Sequence, residues 1–196
     1  NKNKKVIKGI SLNLIGNHNV LNSTAAICIC LNLGVKIDII KRALKKFSGV
    51  QRRMTKIFTK DLNEFYDDYA HHPTEISSVL SGVKNVSKKK KIISIFQPHR
   101  YSRIRSLKKK FSSSFKKSNI VILCPVYSAG EKLDKNYSQI SFSKIISKNS
   151  NVQVINVKNQ EDIKKYLQKN LIKDEIIIGM GAGTISQWMR DLQHNL

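Results

Sequence analysis

Beyond about residue 64, the chain alternates between short apolar runs rich in Ile and Val and longer segments with apolar residues at helical spacing. Such short runs are typical of strands buried on both faces, and their alternation with helices is typical of βα units on a parallel sheet. The predicted strands are 64–67, 92–96, 120–123, 152–155 and 175–179, and the predicted helices are 74–84, 106–117, 142–148, 161–170 and 184–192. The pattern therefore predicts an α/β fold with a doubly wound, mostly parallel, Rossmann-like sheet.

The first fifty-odd residues follow a different pattern. They predict an extended segment over Val6–Leu14, a helix from about Val20 to Leu33 that Gly34 ends, and a second helix with one apolar face, formed by Ile39, Ile40, Ala43, Leu44 and Phe47. Two helices and one extended segment have little to bury these faces against, and the chain does not begin with Met. We therefore expect residues 1–55 to be the helical remnant of a preceding domain and residues 56–196 to be a separate C-terminal domain.

Composition excludes several classes of protein. The chain is 40% hydrophobic, which is typical of globular proteins, and no apolar run approaches the ~20 residues of a membrane span. No small-residue cleavage site follows the amino-terminal apolar stretch, so we expect no export signal. Cys28 and Cys30 lie two apart in a predicted helix, where their side chains point to different faces. We therefore expect a cytoplasmic protein with reduced cysteines that bind no metal.

The formal net charge of +23 raises the question of nucleic-acid binding. The basic runs Lys88–Lys91 and Lys108–Lys110 lack the interleaved aromatic residues on which bases stack. The chain is also rich in Lys, Ile, Asn and Ser, the residues that A/T-rich codons favour, and drift towards lysine on solvated faces explains the excess. We expect no specific nucleic-acid partner, although non-specific attraction to polyanions at low salt needs charge alone.

Residues with chemical potential follow the predicted strands. The segments concerned are Asp67–Glu75, Gln97–Arg105, Pro125–Glu131 and Gly179–Thr184. In an open parallel sheet, ligands bind outside the carboxyl ends of the strands. The sequence thus predicts that these four segments converge on one edge of the sheet.

Each segment allows more than one interpretation. Asp67 and Asp68 could begin a loop and cap a helix, and His71 and His72 could form a polar turn before Pro73. Together with His99 they could instead bind a metal, but no spacing such as HExxH places two of them on one helical face, and we predict no metal site. Arg100 and Arg103 are three residues apart, so both guanidinium groups can face one carboxylate or phosphate if a turn begins at Tyr101.

The glycine cluster GMGAGT, residues 179–184, lacks the full spacing of a dinucleotide-binding fingerprint. Close packing of a strand against the following helix is the interpretation that we favour for it. No glycine-rich loop followed by Lys and Ser or Thr occurs in the sequence, so the chain has no recognisable phosphate loop of its own.

Three strings carry a resemblance to a known family: GNHNVLNSTAA at residues 16–26, DDYAHHPTEI at 67–76 and FQPHRYSR at 96–103. VYSAGE at residues 126–131 and GVQRR at 49–53 support them. In this order, over about residues 10–192, they resemble the Mur ligases of peptidoglycan synthesis. The pairing of the second string with the third is most similar to the members that attach L-alanine to UDP-N-acetylmuramate.

The resemblance implies an ATP-dependent ligase and assigns roles to particular residues. His18, Asn19 and Asn22 would contact the adenine of ATP. Arg53 would stabilise the transferring phosphoryl group, and Asp68 would accept from the ribose hydroxyls or orient Arg53. The incoming amino acid would bind at a set of four residues, namely Tyr69, His71, Arg100 and Arg103, and we count His71 with Arg53 and Asp68 as catalytic.

The same resemblance implies parts that this chain lacks. Residues 1–55 would be the C-terminal tail of the central ATP-binding domain, and residues 56–196 the amino-acid-binding domain. The UDP-binding domain, the phosphate loop and the ligands of the expected Mg²⁺ would be supplied by missing N-terminal domains, in cis or in trans, so we expect the isolated chain to be inactive. A related ligase that attaches a preformed peptide to the same sugar, and a basic nucleic-acid-binding module, are the alternatives.

Overall fold

The computed structural model describes residues 6–14, 16–47, 49–87 and 89–196, with the side chain of His18 outside the described part. The chain divides into two compact units, Asn1–Val50 and Gln51–Leu196. The second unit begins before the boundary expected at residue 56. Arg52 and Met54 already belong to it, because Arg52 Nη2 donates to Gly181 O at 2.6 Å and Met54 N donates to Asp68 Oδ2 at 2.8 Å.

The first unit contains two helices, α1 (Asn17–Asn32) and α2 (Ile37–Lys46). Gly34 lies between them with φ +78°, a left-handed conformation that suits glycine and ends α1 as predicted. In the described part of Val6–Leu14 no regular element forms, and Asn13 Nδ2 donates to Lys45 O at 2.7 Å. None of the helices in the described ranges is both long and apolar enough to span a bilayer.

The second unit is built on a six-stranded sheet with the order β1-β2-β6-β3-β4-β5. Its strands are β1 (Thr55–Lys60), β2 (Asn63–Asp68), β3 (Lys91–Phe96), β4 (Ile120–Leu123), β5 (Gln153–Asn156) and β6 (Glu175–Met180). All neighbouring strands are parallel except β1, which pairs antiparallel with β2 at one edge. The predicted fold class is confirmed.

Five helices cover the two faces of this sheet: α3 (Pro73–Val86), α4 (Tyr101–Ser112), α5 (Gln139–Ser150), α6 (Gln160–Asn170) and α7 (Ile185–Asn195). Helices α3, α4 and α5 pack on one face through a core that includes Ile76, Phe111 and Phe142. Helices α6 and α7 pack on the other through Leu167 and Met189. Successive strand residues point to opposite faces, so the apolar runs supply both cores.

The edge strand β1 was not predicted. It begins after positive-φ residues, and the turn that joins it to β2 uses Asp61 and Leu62 at φ 48° and 66°. Two positive φ values are typical of a tight hairpin turn, but such turns normally carry Asn-Gly or Asp-Gly, so this one has no sequence signature. The pairing is stabilised by stacking of Phe58 on Phe65, with ring centroids 4.1 Å apart.

The prediction for α4 was wrong by five residues at each end. The helix begins at Tyr101 and ends at Ser112, whereas helical spacing predicted 106–117. Its first turn contains few apolar residues, which hides it from periodicity, and Leu107 leaves helical geometry at φ −115° and ψ 16°. As a result Arg103 lies in the first turn of α4 and Arg100 is the residue that precedes the helix.

Candidate functional site

The segments that follow β2, β3 and β6 are joined by backbone hydrogen bonds at the carboxyl edge of the sheet. Gln97 N donates to Met180 O at 3.0 Å, and Gly181 N donates to Asp68 O at 3.3 Å. The connection after β4 joins them, because Arg100 N donates to Tyr127 O at 2.9 Å. The side chains on these segments therefore extend from one edge of the sheet, which backbone hydrogen bonds hold together.

Four aromatic side chains from three of these segments form a continuous row. The ring centroids of Tyr69 and His71 are 5.0 Å apart, those of His71 and His99 are 5.7 Å apart, and those of His99 and Tyr127 are 5.5 Å apart. Tyr69 and Tyr127 at the two ends are 36% and 38% exposed. The row thus offers a partly open surface with histidines at its centre.

The Arg103 side chain contacts His99, in the middle of this row. Its Nη1 lies 3.1 Å from His99 Nδ1, and because a guanidinium only donates, Nδ1 is the acceptor. Burial lowers the pKa of His99, and the positive charges of Arg103, His71 and Arg100 lower it further. His99 is therefore neutral near neutral pH and helps to orient Arg103.

Arg100 follows His99 in the chain, and its positive charge is one of the causes that lower the pKa of His99. Its backbone has φ 69° and ψ 132°, a conformation that non-glycine residues rarely adopt. The exposed side chain thus projects from a turn whose geometry is fixed by its surroundings. The Arg103 guanidinium, oriented by a neutral imidazole, can bind a small carboxylate.

His71 is placed by the start of α3. Glu75 Oε2 accepts from His71 N at 3.0 Å and from His72 N at 3.2 Å, and His71 Nδ1 lies 2.9 Å from Tyr69 O. Burial opposes ionisation of Glu75, but the two backbone donors, together with the His71 and Arg53 side chains, outweigh it and leave the pKa of this carboxyl below its usual range. His72 caps the helix in a capping box with Glu75, a role that the sequence had suggested for Asp67 or Asp68.

The predicted Asp68 is 2% exposed, and its carboxylate accepts from Met54 N at 2.8 Å and Ala70 N at 2.7 Å. These bonds hold the segment before β1 against the turn after β2. Arg53 lies close by, with its guanidinium carbon 5.9 Å from the centroid of the Tyr69 ring. The structure therefore brings Arg53, Asp68 and Tyr69 to one corner of the edge.

A cluster of charged residues around Asp67, next to Asp68 in the chain, was not predicted from the sequence. Asp67 Oδ2 accepts from Ser186 Oγ at 2.5 Å and lies 3.8 Å from both Arg52 Nε and Arg190 Nη1. Arg52 also lies over the Tyr69 ring at 4.7 Å. The signals were present as doublets, Arg52 beside Arg53 and Asp67 beside Asp68, and as Ser186 and Arg190 at the i, i+4 spacing of one helix face.

Gly179 in β6 and Gly183 after it are packing positions, and at Gly179 the strand packs against the following helix as predicted. A Cβ at Gly179 would meet Met189 Cγ of α7 at 2.2 Å, and one at Gly183 would meet Gln97 Oε1 and Tyr127 Cγ at 2.5 Å each. Gly183 therefore lets the turn before α7 approach the aromatic row.

The residues expected to contact the adenine of ATP lie on α1 in the other unit. Asn22 is exposed and Asn19 is half-buried, with Asn19 N donating to Gly16 O at 3.0 Å. The side chain of His18 lies outside the described residues. Within the described ranges, no group of three or more His, Cys, Asp or Glu could hold a metal ion, so these residues do not fit a Mg²⁺ site.

Comparison with known proteins gives a consistent picture. The family described as Mur ligase, glutamate ligase domain, matches residues 52–183. The UDP-N-acetylmuramate–L-alanine ligase of Pelagibacter ubique is 51% identical over 97% of this chain and 41% of its own length. The solved UDP-N-acetylmuramate–alanine ligase of Thermotoga maritima is 28% identical, with a TM-score of 0.80 over 98% of this chain and 41% of its own.

A solved murein peptide ligase from Psychrobacter arcticus shares the fold, with 22% identity and a TM-score of 0.70 over 99% of this chain and 40% of its own. The chain thus spans about two fifths of the length of the relatives it matches.

Proposed function

The chain belongs to the Mur ligase family, as its motifs predict, and we propose that it forms part of an ATP-dependent ligase that joins L-alanine to UDP-N-acetylmuramate in peptidoglycan synthesis. The relative that is 51% identical carries that activity in its name. The single observation that carries the proposal is the contact of Arg103 Nη1 with His99 Nδ1 at 3.1 Å, one residue along the chain from Arg100 and at the edge where His71 and Tyr69 also lie.

The proposed reaction forms a carbon–nitrogen bond in two steps. The γ-phosphoryl group of ATP is transferred to the carboxylate of UDP-N-acetylmuramate, which gives an acyl phosphate and ADP. The neutral amine of L-alanine then attacks the acyl carbon, and the tetrahedral intermediate expels inorganic phosphate and loses the amine proton. Because the amine must meet a short-lived acyl phosphate, holding alanine in one orientation accelerates the second step.

The residues of this chain serve the second step most directly. Arg100 and Arg103 would bind the alanine carboxylate, which leaves the amine to point away from the positive charges. Tyr69 and His71 would line the place of the methyl group and orient the amine.

Arg53, Asp68 and α1 would serve the first step. Arg53 would offset charge on the transferring phosphoryl group, with Asp68 fixing the backbone from which it extends or accepting from the ribose. His18, Asn19 and Asn22 would contact adenine. Bound Mg²⁺ would neutralise phosphate charge, and we assign its ligands to the rest of the complete enzyme. A reaction that consumes ATP and a UDP-sugar belongs in the cytoplasm, where we place it.

A chimeric enzyme tests the proposal. This chain replaces the matching part of the Pelagibacter ligase, and ADP formation is followed with UDP-N-acetylmuramate, ATP and each candidate amine. We expect turnover that requires L-alanine. Turnover with a preformed peptide, and none with L-alanine, would instead support the peptide-attaching alternative. Tight, saturable binding of duplex DNA by the chain at physiological salt would support the nucleic-acid alternative.

A further inference from the structure

The connection from β4 to α5, residues 124–138, is bonded to the start of α4. The carboxylate of Glu131 accepts from Ser102 N at 3.1 Å and also from the hydroxyl of the same serine. Tyr127 of the same connection accepts from Arg100 N through its backbone oxygen. One connection therefore contacts both sides of the turn that carries Arg100.

Helix α4 depends on these contacts because it has no cap of its own. The first N–H groups of a helix have no partner within the helix, and a polar side chain at the preceding residue usually accepts from one of them. In α4 that residue is Arg100, whose side chain makes no capping hydrogen bond. Glu131 thus supplies from a different element what the helix lacks locally.

Charge strengthens this arrangement. The hydrogen bonds from Ser102 lower the pKa of Glu131, and the charge of Arg100 lowers it further, so the carboxylate is ionised at neutral pH. A negative charge is favourable beside the N-terminal end of a helix. Glu131 therefore presents a full negative charge to the helix terminus.

The strained turn gives this cap a role in the site. Arg100 keeps its φ of 69° only while neighbouring groups impose it. Arg103 follows one turn later and bonds to His99, which stacks on Tyr127 of the same connection. We propose that Glu131 is a positioning residue, which holds the start of α4 so that Arg100 and Arg103 both face the carboxylate of the incoming amino acid. This proposal rests on the proposed function.

The test uses the chimeric ligase with Glu131→Ala. We expect the KM for L-alanine to rise about 3- to 30-fold, the range that corresponds to loss of a helix cap, with kcat and the KM for ATP changed less than about twofold. Glu131→Gln keeps one acceptor oxygen at the same place, so it should recover part of the loss. A merely structural role would lower stability or kcat without this selective effect on alanine.

Asp134→Asn is the matched control. Asp134 lies in the same connection and pairs with Arg105 Nη1 at 3.0 Å, farther along α4. Removal of this charge should leave the KM for L-alanine unchanged. Equal effects of the Asp134 and Glu131 variants would overturn the proposal, because they would reflect general loosening of the connection.

A second measurement separates failure of this inference from failure of the proposed function. Amide hydrogen exchange of Ser102 is followed in the 196-residue chain itself. We expect faster exchange in Glu131→Ala, and unchanged exchange would overturn the cap even if the chimera is inactive. If Arg103→Ala raises the KM for L-alanine and Glu131→Ala does not, the proposed function stands and the positioning role is refuted.

Discussion

Gly183→Ala should disturb the fold and the site together, because this glycine lies against two side chains that differ in their freedom to move. The new Cβ would lie 2.5 Å from Gln97 Oε1, 2.5 Å from Tyr127 Cγ and 2.7 Å from Tyr127 Cβ, all far inside van der Waals contact. Gln97 is 3% exposed, accepts from Ile185 N at 3.0 Å and donates to Thr184 Oγ1 at 2.9 Å. Tyr127 is 38% exposed, but the clashing atoms are its Cβ and Cγ, so relief requires a shift of the backbone that carries this side chain as well as of the ring.

The magnitude follows from these neighbours. An extra methyl group in a packed site costs about 1–3 kcal/mol. Displacement of Tyr127 also weakens its stacking on His99, a contact of the kind worth about 0.5–1.5 kcal/mol when intact. The cost of the extra methyl group and the loss of stacking are not independent, so we expect a total loss of about 1–3 kcal/mol in the free energy of unfolding.

Urea denaturation followed by tryptophan fluorescence measures this loss in the second unit, because Trp188 is the single tryptophan and packs against the core beneath α7. In a double-mutant cycle, Tyr127→Ala should relieve part of the strain, with a coupling of about 0.5–3 kcal/mol. An unfolding free energy within about 0.3 kcal/mol of the parent chain would refute the close packing of this turn, since distant neutral sites vary by that much.

Three further substitutions test other parts of the argument. Arg103→Ala in the chimeric ligase should raise the KM for L-alanine about 10- to 150-fold, as loss of a hydrogen bond to a charged group costs about 1.5–3 kcal/mol, and unchanged kinetics would refute its role. Asn22→Ala should weaken ATP binding, measured by the KM for ATP, while the KM for L-alanine stays nearly constant. Glu64→Gln should lower stability at pH 7 by about 1–2 kcal/mol after allowance for solvent screening, because bonds from Lys90 and then Tyr66 lower the pKa of Glu64 from 4.5 to about 2. That difference is complete above pH 4.5 and disappears as the pH falls towards 2, so a constant difference in acid unfolding curves would contradict it.

The core of the fold could be predicted because its strands and helices follow local patterns in the sequence. Strands β3, β4 and β6 are continuous apolar runs, and β4 has the predicted bounds Ile120–Leu123. Pro73 and Glu75 at the start of α3 are the signals of a helix terminus, and the structure has both a proline in the first turn and a capping box there. In each case the residues that cause the element lie within it.

Elements without such local causes were missed or misplaced. The start of α4 is polar and is capped by Glu131, which is 29 residues away in sequence. The hairpin of β1 and β2 has its turn at Asp61 and Leu62, and stacking of Phe58 on Phe65 across the two strands stabilises it. Periodicity and turn signatures report only near neighbours along the chain, so neither element was visible to them.

The sequence by itself determined the class of fold, the family, and the edge of the sheet on which the segments that carry Arg100, Arg103 and His71 lie. Only the tertiary structure decided the separate roles of the neighbouring Asp67 and Asp68. Asp67 faces Arg52 and Arg190, while Asp68 accepts hydrogen bonds from two backbone segments. Adjacent strand residues point to opposite sides, and the side that faces a partner depends on which distant segments pack there. The structure also decided that His99 is neutral, because burial and nearby charges set its pKa and both arise only on folding.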